Sequence, residues 1–337
     1  MKYLFKIFLS LWFFITLLVF NSNRGMCSIL KKGDVIGLVA PGFLITEEDL
    51  NHTIEVLHDL GFEVYHSKDI LKNYGYLAGT IQQRVDDLHS MYKNKSIAAI
   101  LCVRGGYGSA QILPYLDYSL IKNNDKPLLG FSDITALIQA IYVKTKSTKL
   151  FHTAVGKTLK GNYTINHLKN VLLSSNKVIG IRRSEAFNEN KNSNIEFESK
   201  VIRQGIAKGI IVGGNLSTIV SLVGTEYQID FKDKIVFIED VGEEPYRLDR
   251  MLTQLIQSSN LEKASAIIFG ILDDCQVKLK QKSFDFMEAI TTVLANTTMP
   301  IYYGMPIGHI RENATIRYGA KACFDTTSCV LTYENNE

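Results

Sequence analysis

The segment Lys126-Pro-Leu-Leu-Gly-Phe-Ser-Asp-Ile-Thr-Ala-Leu137 contains the pattern that decides the fold, and it places a serine in a distinctive position. The apolar pair Leu128-Leu129 leads to Gly130, Ser132 follows two residues later, and helical spacing begins at Ile134. We therefore predict a strand, a sharp turn that carries Ser132, and a helix. The helix start offers the serine free N–H groups and the positive end of its dipole. The pattern also fits an ordinary helix N-cap, so this segment alone does not establish a nucleophile.

Strands and helices alternate on both sides of this segment in the first half of the chain. Apolar strands are predicted at 34–43, 62–65 and 97–103, and a helix with one apolar face is predicted at 47–60. Such alternation is typical of parallel βαβ units, so we expect a Rossmann-like parallel sheet. Sites in these sheets lie at the carboxyl ends of the strands, which is where the serine turn also falls.

A second α/β domain is predicted after a polar, turn-rich stretch between residues 185 and 199. We therefore divide the chain after residue 27 into three parts. These are an N-terminal nucleophile domain at 28–165, a linker or surface segment at 166–200, and a C-terminal α/β domain at 201–337. The elements expected in the last domain are strands at 209–212, 235–239, 266–270, 300–303 and 329–333 and helices at 215–223 and 246–256.

Residues 1–27 have the composition of a secretory signal peptide. Two lysines precede an uncharged apolar run at 7–20, and the small residues Gly25 and Cys27 are compatible with cleavage after Cys27. The run is also close to the minimum length of an uncleaved membrane anchor, so both interpretations stay open. Either one predicts an extracytoplasmic protein, periplasmic or secreted, with membrane association in the anchored case.

The charge and cysteine content exclude several partners. The formal net charge of +3 comes from Lys2, Lys6 and Arg24, and the remaining 34 basic and 34 acidic residues balance, so no nucleic-acid partner is predicted. The cysteines and histidines show no metal-ligand spacing, and we predict no metal or other cofactor. Cys323 and Cys329 could form a disulfide across a hairpin, which their spacing alone does not decide.

A glycine-rich loop, Arg104-Gly-Gly-Tyr-Gly-Ser109, follows the predicted strand at 97–103. It lacks the Lys-Ser/Thr ending of a P-loop and its spacing differs from the dinucleotide-binding pattern, which disfavours a nucleotide-binding protein. Glycines allow several backbone N–H groups to converge on one point, as an oxyanion hole requires. A tight turn between a strand and a helix explains the loop equally well.

Glu239 and His309 are the candidate partners of Ser132. Glu239 ends the apolar strand at 235–239, and His309 follows Pro306-Ile-Gly308 in a loop. Serine, carboxylate and histidine in this chain order match one of the known orders of a catalytic triad. The order alone is weak evidence, because exposed acids at strand ends and structural histidines are common.

Together these segments resemble the LD-carboxypeptidase family of serine peptidases, which also includes the microcin-immunity peptidases. The sequence departs from the family at Phe151-His-Thr-Ala-Val155, where relatives often carry a His-Gly-Pro-like turn. No single motif is specific, but jointly they are, and they cover most of residues 34–320. The matching motifs are Ala40-Pro-Gly42, Arg104-Gly-Gly-Tyr-Gly108, Gly130-Phe-Ser-Asp133, Gly213-Gly-Asn-Leu-Ser217, Ile238-Glu-Asp240, Pro245-Tyr-Arg247, Arg250-Met-Leu252 and Gly308-His309.

The resemblance implies a serine carboxypeptidase whose active site lies between the two domains. Ser132 would be the nucleophile, His309 the general base and Glu239 the group that orients the imidazole. The family hydrolyses the L,D-amide bond that releases terminal D-alanine from peptidoglycan tetrapeptides. A related enzyme that cleaves a peptidyl-nucleotide or another amide is the alternative. Peptidoglycan-derived peptides are therefore the expected partners, and a homodimer is expected from the resemblance alone.

Further residues are candidates for the same site. The N–H groups of Gly106 and Asp133 are our candidates for the oxyanion hole. Asn215, Tyr246 and Arg247 are candidates for the substrate cleft, with purely structural roles as an equal alternative. A peptidoglycan-binding module without catalysis is a different class of function, but it would lack a triad residue. Many relatives look cytoplasmic, whereas the apolar leader predicts an enzyme that trims peptides on intact or shed cell wall.

Overall fold

The computed structural model describes residues 28–187, 195–278 and 282–335, and two sheets organise them. The leader expected at 1–27, with its apolar run, lies outside the described residues, as does 188–194 within the polar stretch. Across the described ranges, no helix combines the length and the apolar character needed to cross a membrane.

The secondary structure follows the predicted alternation of strands and helices. The strands are β1 (Val35–Val39), β2 (Glu63–His66), β3 (Ile97–Cys102), β4 (Leu128–Gly130), β5 (Leu150–His152), β6 (Val178–Arg182), β7 (Lys200–Arg203), β8 (Ile206–Asn215), β9 (Lys234–Val241), β10 (Ala266–Asp273), β11 (Ile301–Tyr303), β12 (Ile316–Tyr318), β13 (Lys321–Asp325) and β14 (Val330–Glu334). The helices are α1 (Glu47–Asp59), α2 (Ile81–Lys93), α3 (Ser109–Ile112), α4 (Tyr118–Asn123), α5 (Ile134–Thr145), α6 (Asn162–Leu173), α7 (Arg183–Ala186), α8 (Leu216–Ser221), α9 (Pro245–Ser258) and α10 (Phe286–Val293).

Local sequence explains where the first helices begin. Thr46 caps α1 and Thr80 caps α2, and each threonine forms a capping box with the side chain three residues later, Asp49 or Gln83. Each box satisfies backbone N–H groups that the first helical turn leaves free. The two threonines therefore fix where α1 and α2 begin.

The first sheet has the strand order β12-β5-β4-β3-β1-β2. Strands β1 to β5 are parallel, which confirms the predicted Rossmann-like sheet. Strand β12 pairs antiparallel with β5, and Ile316 lies opposite His152. Since β12 belongs to the last part of the chain, the sheet that carries Ser132 is completed by a strand from the predicted C-terminal domain.

The second sheet has the strand order β6-β14-β13-β8-β9-β10-β11-β7. Its centre, β8 to β11, is parallel, and antiparallel strands flank it on both sides. Every strand predicted for the C-terminal domain is present, so the α/β class of this half is confirmed. Cys323 on β13 and Cys329 before β14 are both free thiols, and the structure does not contain the disulfide considered for them.

The segment 166–200 is not merely a linker. It contains the end of α6, the short helix α7 and strand β6, and β6 pairs with β14 at the edge of the second sheet. Only Ile179 and Ile181 of β6 are buried, and their neighbours are exposed. Because this edge strand buries just two apolar side chains, its apolar pattern is too short to predict a strand. The domain boundaries themselves remain predictions.

One continuous hydrophobic core joins the two sheets. It includes Leu129 of β4 and Phe237 of β9. Helix α5 is buried along most of its length between them, and its Gln139 donates a 2.9 Å hydrogen bond to the Tyr227 carbonyl of the second half. Helix α5, which begins directly after the Ser132 turn, therefore packs against both halves of the molecule.

Candidate active site

Ser132 lies on the turn between β4 and α5, in a left-handed backbone conformation with φ of 59°. Such a conformation is unfavourable for a residue with a side chain and is concentrated at functional sites. The turn is tight, because a Cβ on Gly130 would lie 2.5 Å from Ile134 Cγ2. The predicted strand, sharp turn and helix are therefore present, with the geometry of a nucleophile elbow.

The three residues singled out as a triad meet in one hydrogen-bonded line. His309 Nε2 lies 2.9 Å from Ser132 Oγ, and His309 Nδ1 lies 2.7 Å from Glu239 Oε2. Both distances are within hydrogen-bonding range. Residues that are far apart in the sequence thus lie in the arrangement that a nucleophile, a base and an orienting acid require.

The second half of the chain positions His309 and Glu239, the predicted base and acid. Glu239 lies near the carboxyl end of β9 with no exposed surface. His309 follows Gly308, whose φ of 131° favours glycine and whose N–H donates to Asn313 Oδ1. A Cβ on Gly308 would lie 3.3 Å from Glu239 Oε2, so glycine lets the loop approach the carboxylate closely.

Burial and charge act in opposite directions on the acid and the base. Burial favours the neutral form of Glu239, but the neighbouring His309 and His152 imidazoles outweigh it and hold its pKa at about 2. Burial also disfavours the charged form of His309, yet the Glu239 carboxylate raises the pKa of the imidazole above its usual value. The pair therefore stabilises an imidazolium next to a carboxylate, which is the state reached after proton transfer from the serine.

The glycine loop lies against the nucleophile. A Cβ on Gly105 would be 3.2 Å from Ser132 Oγ, so a side chain at this position would fill the space next to the hydroxyl. Asp133 ties the loop to α5, because its Oδ2 accepts the Ser109 N–H at 2.9 Å. Gly106 follows Gly105 in this loop, and Asp133 follows Ser132 on the turn before α5. The assignment of their N–H groups to the oxyanion hole remains a prediction.

The two halves of the chain match two domain models of one family. Residues 36–153 match the LD-carboxypeptidase N-terminal domain, and residues 208–324 match the LD-carboxypeptidase C-terminal domain. The chain belongs to the LD-carboxypeptidase family. It is a serine-type hydrolase, as the motif resemblance implied.

Curated relatives of this LD-carboxypeptidase family member cover nearly the whole chain. A probable murein peptide carboxypeptidase of Bacillus subtilis (strain 168) is 33% identical over 88% of this chain and 90% of its own length. A murein tetrapeptide carboxypeptidase of Pseudomonas aeruginosa is 30% identical over 86% of this chain and 92% of its own length. The family assignment therefore rests on full-length similarity.

A solved structure of another family branch has the same fold. The microcin C7 self-immunity protein MccF, in complex with aspartyl sulfamoyl adenosine, superposes with a TM-score of 0.79 at 26% identity, covering 90% of this chain and 97% of the other. MccF of Escherichia coli is also a curated relative at 27% identity. The two-domain α/β architecture predicted from the sequence is therefore that of the LD-carboxypeptidase family.

The predicted cleft residues lie at the carboxyl end of β8 and in the first turn of the helix that follows β9. Asn215 caps α8, where its Oδ1 accepts the Thr218 N–H and its Nδ2 donates to Asp240. This side chain has a structural role in the cap. Tyr246 and Arg247 lie at the start of α9, where Arg247 Nε donates to the Tyr246 hydroxyl at 3.1 Å. Contact of these three residues with substrate remains a prediction.

His152 is a residue of this LD-carboxypeptidase site that sequence reasoning did not select. Its Nε2 lies 3.9 Å from Glu239 Oε1, and both side chains are buried. Within the described part of the chain, neither His152 ring nitrogen nor Glu239 Oε1 has a hydrogen-bond partner. The feature that marks His152 as part of the site is its position at the end of β5, where it is paired with Gly130 of the neighbouring strand β4.

Acidic neighbours complete the electrostatics of this LD-carboxypeptidase site. Burial and repulsion from Glu239 raise the pKa of Asp240 to about 6. Burial also raises the pKa of Asp273, although His309 opposes the shift. Among the residues described, no group of three or more His, Cys, Asp or Glu side chains could hold a metal ion.

Proposed function

We propose that this protein releases terminal D-alanine from peptidoglycan tetrapeptides, using Ser132, His309 and Glu239 as its catalytic triad. The observation that carries the proposal is the hydrogen-bonded line of these side chains, with distances of 2.9 and 2.7 Å at a serine on a strained turn. The substrate class is supported by the names of relatives, which include a murein tetrapeptide carboxypeptidase.

Each triad residue has one role in the proposed reaction. His309 Nε2 takes the proton of Ser132 Oγ as the oxygen attacks the carbonyl of the L,D-amide bond. Backbone N–H groups of Gly106 and Asp133 stabilise the oxygen of the tetrahedral intermediate. His309 then gives the proton to the nitrogen of D-alanine, the C–N bond breaks, and an acyl-enzyme remains.

The second half of the proposed reaction regenerates the enzyme. His309 takes a proton from water, the hydroxide attacks the ester carbonyl, and the proton returns to Ser132 Oγ as the tripeptide leaves. Glu239 stays ionised throughout, because its pKa lies at about 2, and it stabilises the imidazolium that forms twice in each cycle.

Mass spectrometry of a purified disaccharide-tetrapeptide incubated with residues 28–337 tests this function. Wild-type protein should remove one alanine, and Ser132→Ala should remove none, because the hydroxyl that attacks the amide is missing. Retention of the alanine with both proteins would disprove the substrate assignment, while equal loss with both would disprove Ser132 as the nucleophile.

A peptidyl-nucleotide amide is the second candidate substrate. It is favoured by one observation, the similarity to MccF, whose structure contains aspartyl sulfamoyl adenosine. The same chemistry would apply, with a different leaving group. Competition between a peptidyl-nucleotide and the disaccharide-tetrapeptide in one reaction distinguishes the two, because the true substrate class will be consumed first.

We further propose that the enzyme acts outside the cytoplasm on intact or freshly shed cell wall. The support is the leader at 1–27, with its apolar run and preceding lysines. A fusion of residues 1–40 to a reporter protein tests the location. Export or membrane attachment of the reporter is expected, and a soluble cytoplasmic reporter would contradict it.

A further inference from the structure

A partly exposed set of aromatic rings lies at the glycine loop, to which Tyr107 belongs. We call Phe43, Tyr76 and Tyr107 the aromatic platform. The Phe43 and Tyr76 ring centroids are 6.0 Å apart with an interplanar angle of 26°, and Tyr76 and Tyr107 are also 6.0 Å apart. Tyr76 is 53% exposed and Tyr107 is 52% exposed. Neighbouring large rings left in water are typical of a surface that a ligand or partner covers.

The aromatic platform is connected to the nucleophile by direct packing. A Cβ on Gly106 would lie 2.5 Å from Phe43 Cβ, and the preceding Gly105 faces Ser132 Oγ. Phe43 follows β1 and Ser132 follows β4, with β3 between these strands in the sheet. Two strand spacings separate the ends of β1 and β4, which corresponds to about 10 Å.

A groove of about 780 Å³ adjoins the aromatic platform at Tyr76. Tyr76 lines both features, and Tyr74, Tyr115, Gln82 and Gln111 line the groove as well. The volume is within the range of about 300–1,000 Å³ that is common for small-molecule sites. Rings combined with neutral amides suit a ligand that has apolar C–H faces and polar hydroxyl or acetamido groups.

The charge of the groove also favours a neutral ligand. The one ionisable side chain of its lining, other than the tyrosines, is Arg84. Its guanidinium is buried and donates hydrogen bonds to the carbonyl oxygens of Pro41 and Gly108. Within this groove the guanidinium is therefore already engaged by backbone carbonyls. The cation next to the platform is Arg104, whose guanidinium lies 4.9 Å from the Phe43 ring centroid and 3.9 Å from the Asp49 carboxylate.

We propose that the aromatic platform and the groove bind the amino sugar to which the stem peptide is attached. This inference rests on the proposed function. The acyl part of a tetrapeptide that is cut before its last residue contains three residues, and three extended residues span about 10 Å. That length matches the separation of β4 and β1, so a peptide held at Ser132 would present its sugar to the aromatic platform.

The test compares a free tetrapeptide with the same tetrapeptide on its disaccharide, by D-alanine release. We expect kcat/KM of wild-type protein to be about tenfold higher for the disaccharide form, as one or two ring contacts would provide. Tyr76→Ala should bring this ratio close to one. Tyr65→Ala is the matched control, because Tyr65 is a 47% exposed tyrosine on β2 outside the platform and the groove.

The outcomes separate this inference from the proposed function. If both substrates are cleaved with equal kcat/KM, or if Tyr76→Ala leaves the ratio unchanged, the sugar site is disproved and the carboxypeptidase activity stands. If neither substrate is cleaved, the proposed function fails, and a direct binding measurement decides on the sugar site.

That measurement is calorimetric titration of the peptide-free disaccharide into the wild type, Tyr76→Ala and Tyr65→Ala proteins. The sugar site is supported, without any catalysis, if the disaccharide binds to the wild type and to Tyr65→Ala with similar Kd and to Tyr76→Ala about tenfold more weakly. An absence of binding to all three proteins overturns it. Sedimentation of the same proteins tests a second copy of the chain as occupant, since a dimer that Tyr76→Ala dissociates would also overturn it.

Discussion

The proposed reactivity of Ser132 depends on its backbone conformation and on the proximity of the Glu239 carboxylate to the imidazoles of His309 and His152. The positive φ of Ser132 turns its hydroxyl towards His309, and Glu239 lies beyond that ring. The spacing Gly130-Phe-Ser132 predicted the turn, because a glycine is needed where Ile134 packs closely. The contact of Glu239 with His152 could not be predicted, because it depends on how two sheets face each other.

The raised pKa of His309 predicts the pH dependence of the reaction. The base must be neutral to accept the serine proton, so activity is lost as the pH falls through the His309 pKa. Since Glu239 raises that pKa above the usual value of about 6.5, the acidic limb of kcat/KM should lie above pH 6.5. Stopped-time assays of D-alanine release across pH provide the measurement.

Glu239→Gln is the variant that checks this assignment. Without the carboxylate, the acidic limb of the kcat/KM profile should move to lower pH, because the His309 imidazolium loses its stabilising charge. For the same reason kcat should fall by at least about a hundredfold. If the acidic limb of Glu239→Gln stays at the wild-type pH, a group other than His309 controls the pH dependence.

His152→Phe should lower kcat by about tenfold with little change in KM, since it removes the imidazole nitrogen that lies 3.9 Å from the buried Glu239 Oε1. The aromatic packing of His152 against Phe131 and Phe237 would be largely kept. His152→Gln retains an N–H donor and should recover part of the activity. Equal activity of the two variants would contradict an orienting role for His152.

At the scale of elements, backbone contact between β8 and β9 holds the acid in place. Asn215 is paired with Glu239, and Gly213 is paired with Phe237 in the same register. Gly213 has a φ of 142°, and a Cβ there would lie 1.8 Å from the Phe237 carbonyl oxygen. The apolar runs of these strands predicted the strands themselves. The Gly213-Gly214 pair in the sequence did not reveal that the two backbones approach each other this closely.

Gly213→Ala should therefore destabilise the protein by at least about 3 kcal/mol, because both the backbone angle and the neighbouring carbonyl oppose a side chain. Urea unfolding followed by circular dichroism measures the change. Gly180→Ala is the matched control, since Gly180 also lies in a strand but has open space where a Cβ would be. A similar loss of stability in both variants would rule out the steric cause.

At the scale of the whole molecule, the two-sheet α/β class was predictable, whereas the division of strands between sheets was not. Alternating apolar segments predicted the parallel strands around Ser132 and Glu239. Strand β12 has just three residues, and its pairing with β5 depends on the loop around His309 rather than on its own pattern. The edge strand β6 was not predicted either, because it buries just two apolar side chains.

The single tryptophan of the chain, Trp12, lies in the leader. If the leader is removed after Cys27, the mature enzyme contains tyrosines but no tryptophan, so its emission should be that of tyrosine alone. Fluorescence of the enzyme isolated from its native location, together with its intact mass, measures this. Tryptophan emission combined with the mass of the full chain would instead identify an uncleaved anchor.

The position of β12 also constrains when activity can arise during synthesis. The nucleophile is encoded in the first half of the chain, but its sheet keeps an open edge at β5 until residues 316–318 are available. His309 enters the site just before that strand. Under the proposed mechanism, the first half of the chain alone should therefore be inert, because both His309 and the strand that closes this sheet edge are synthesised much later than Ser132.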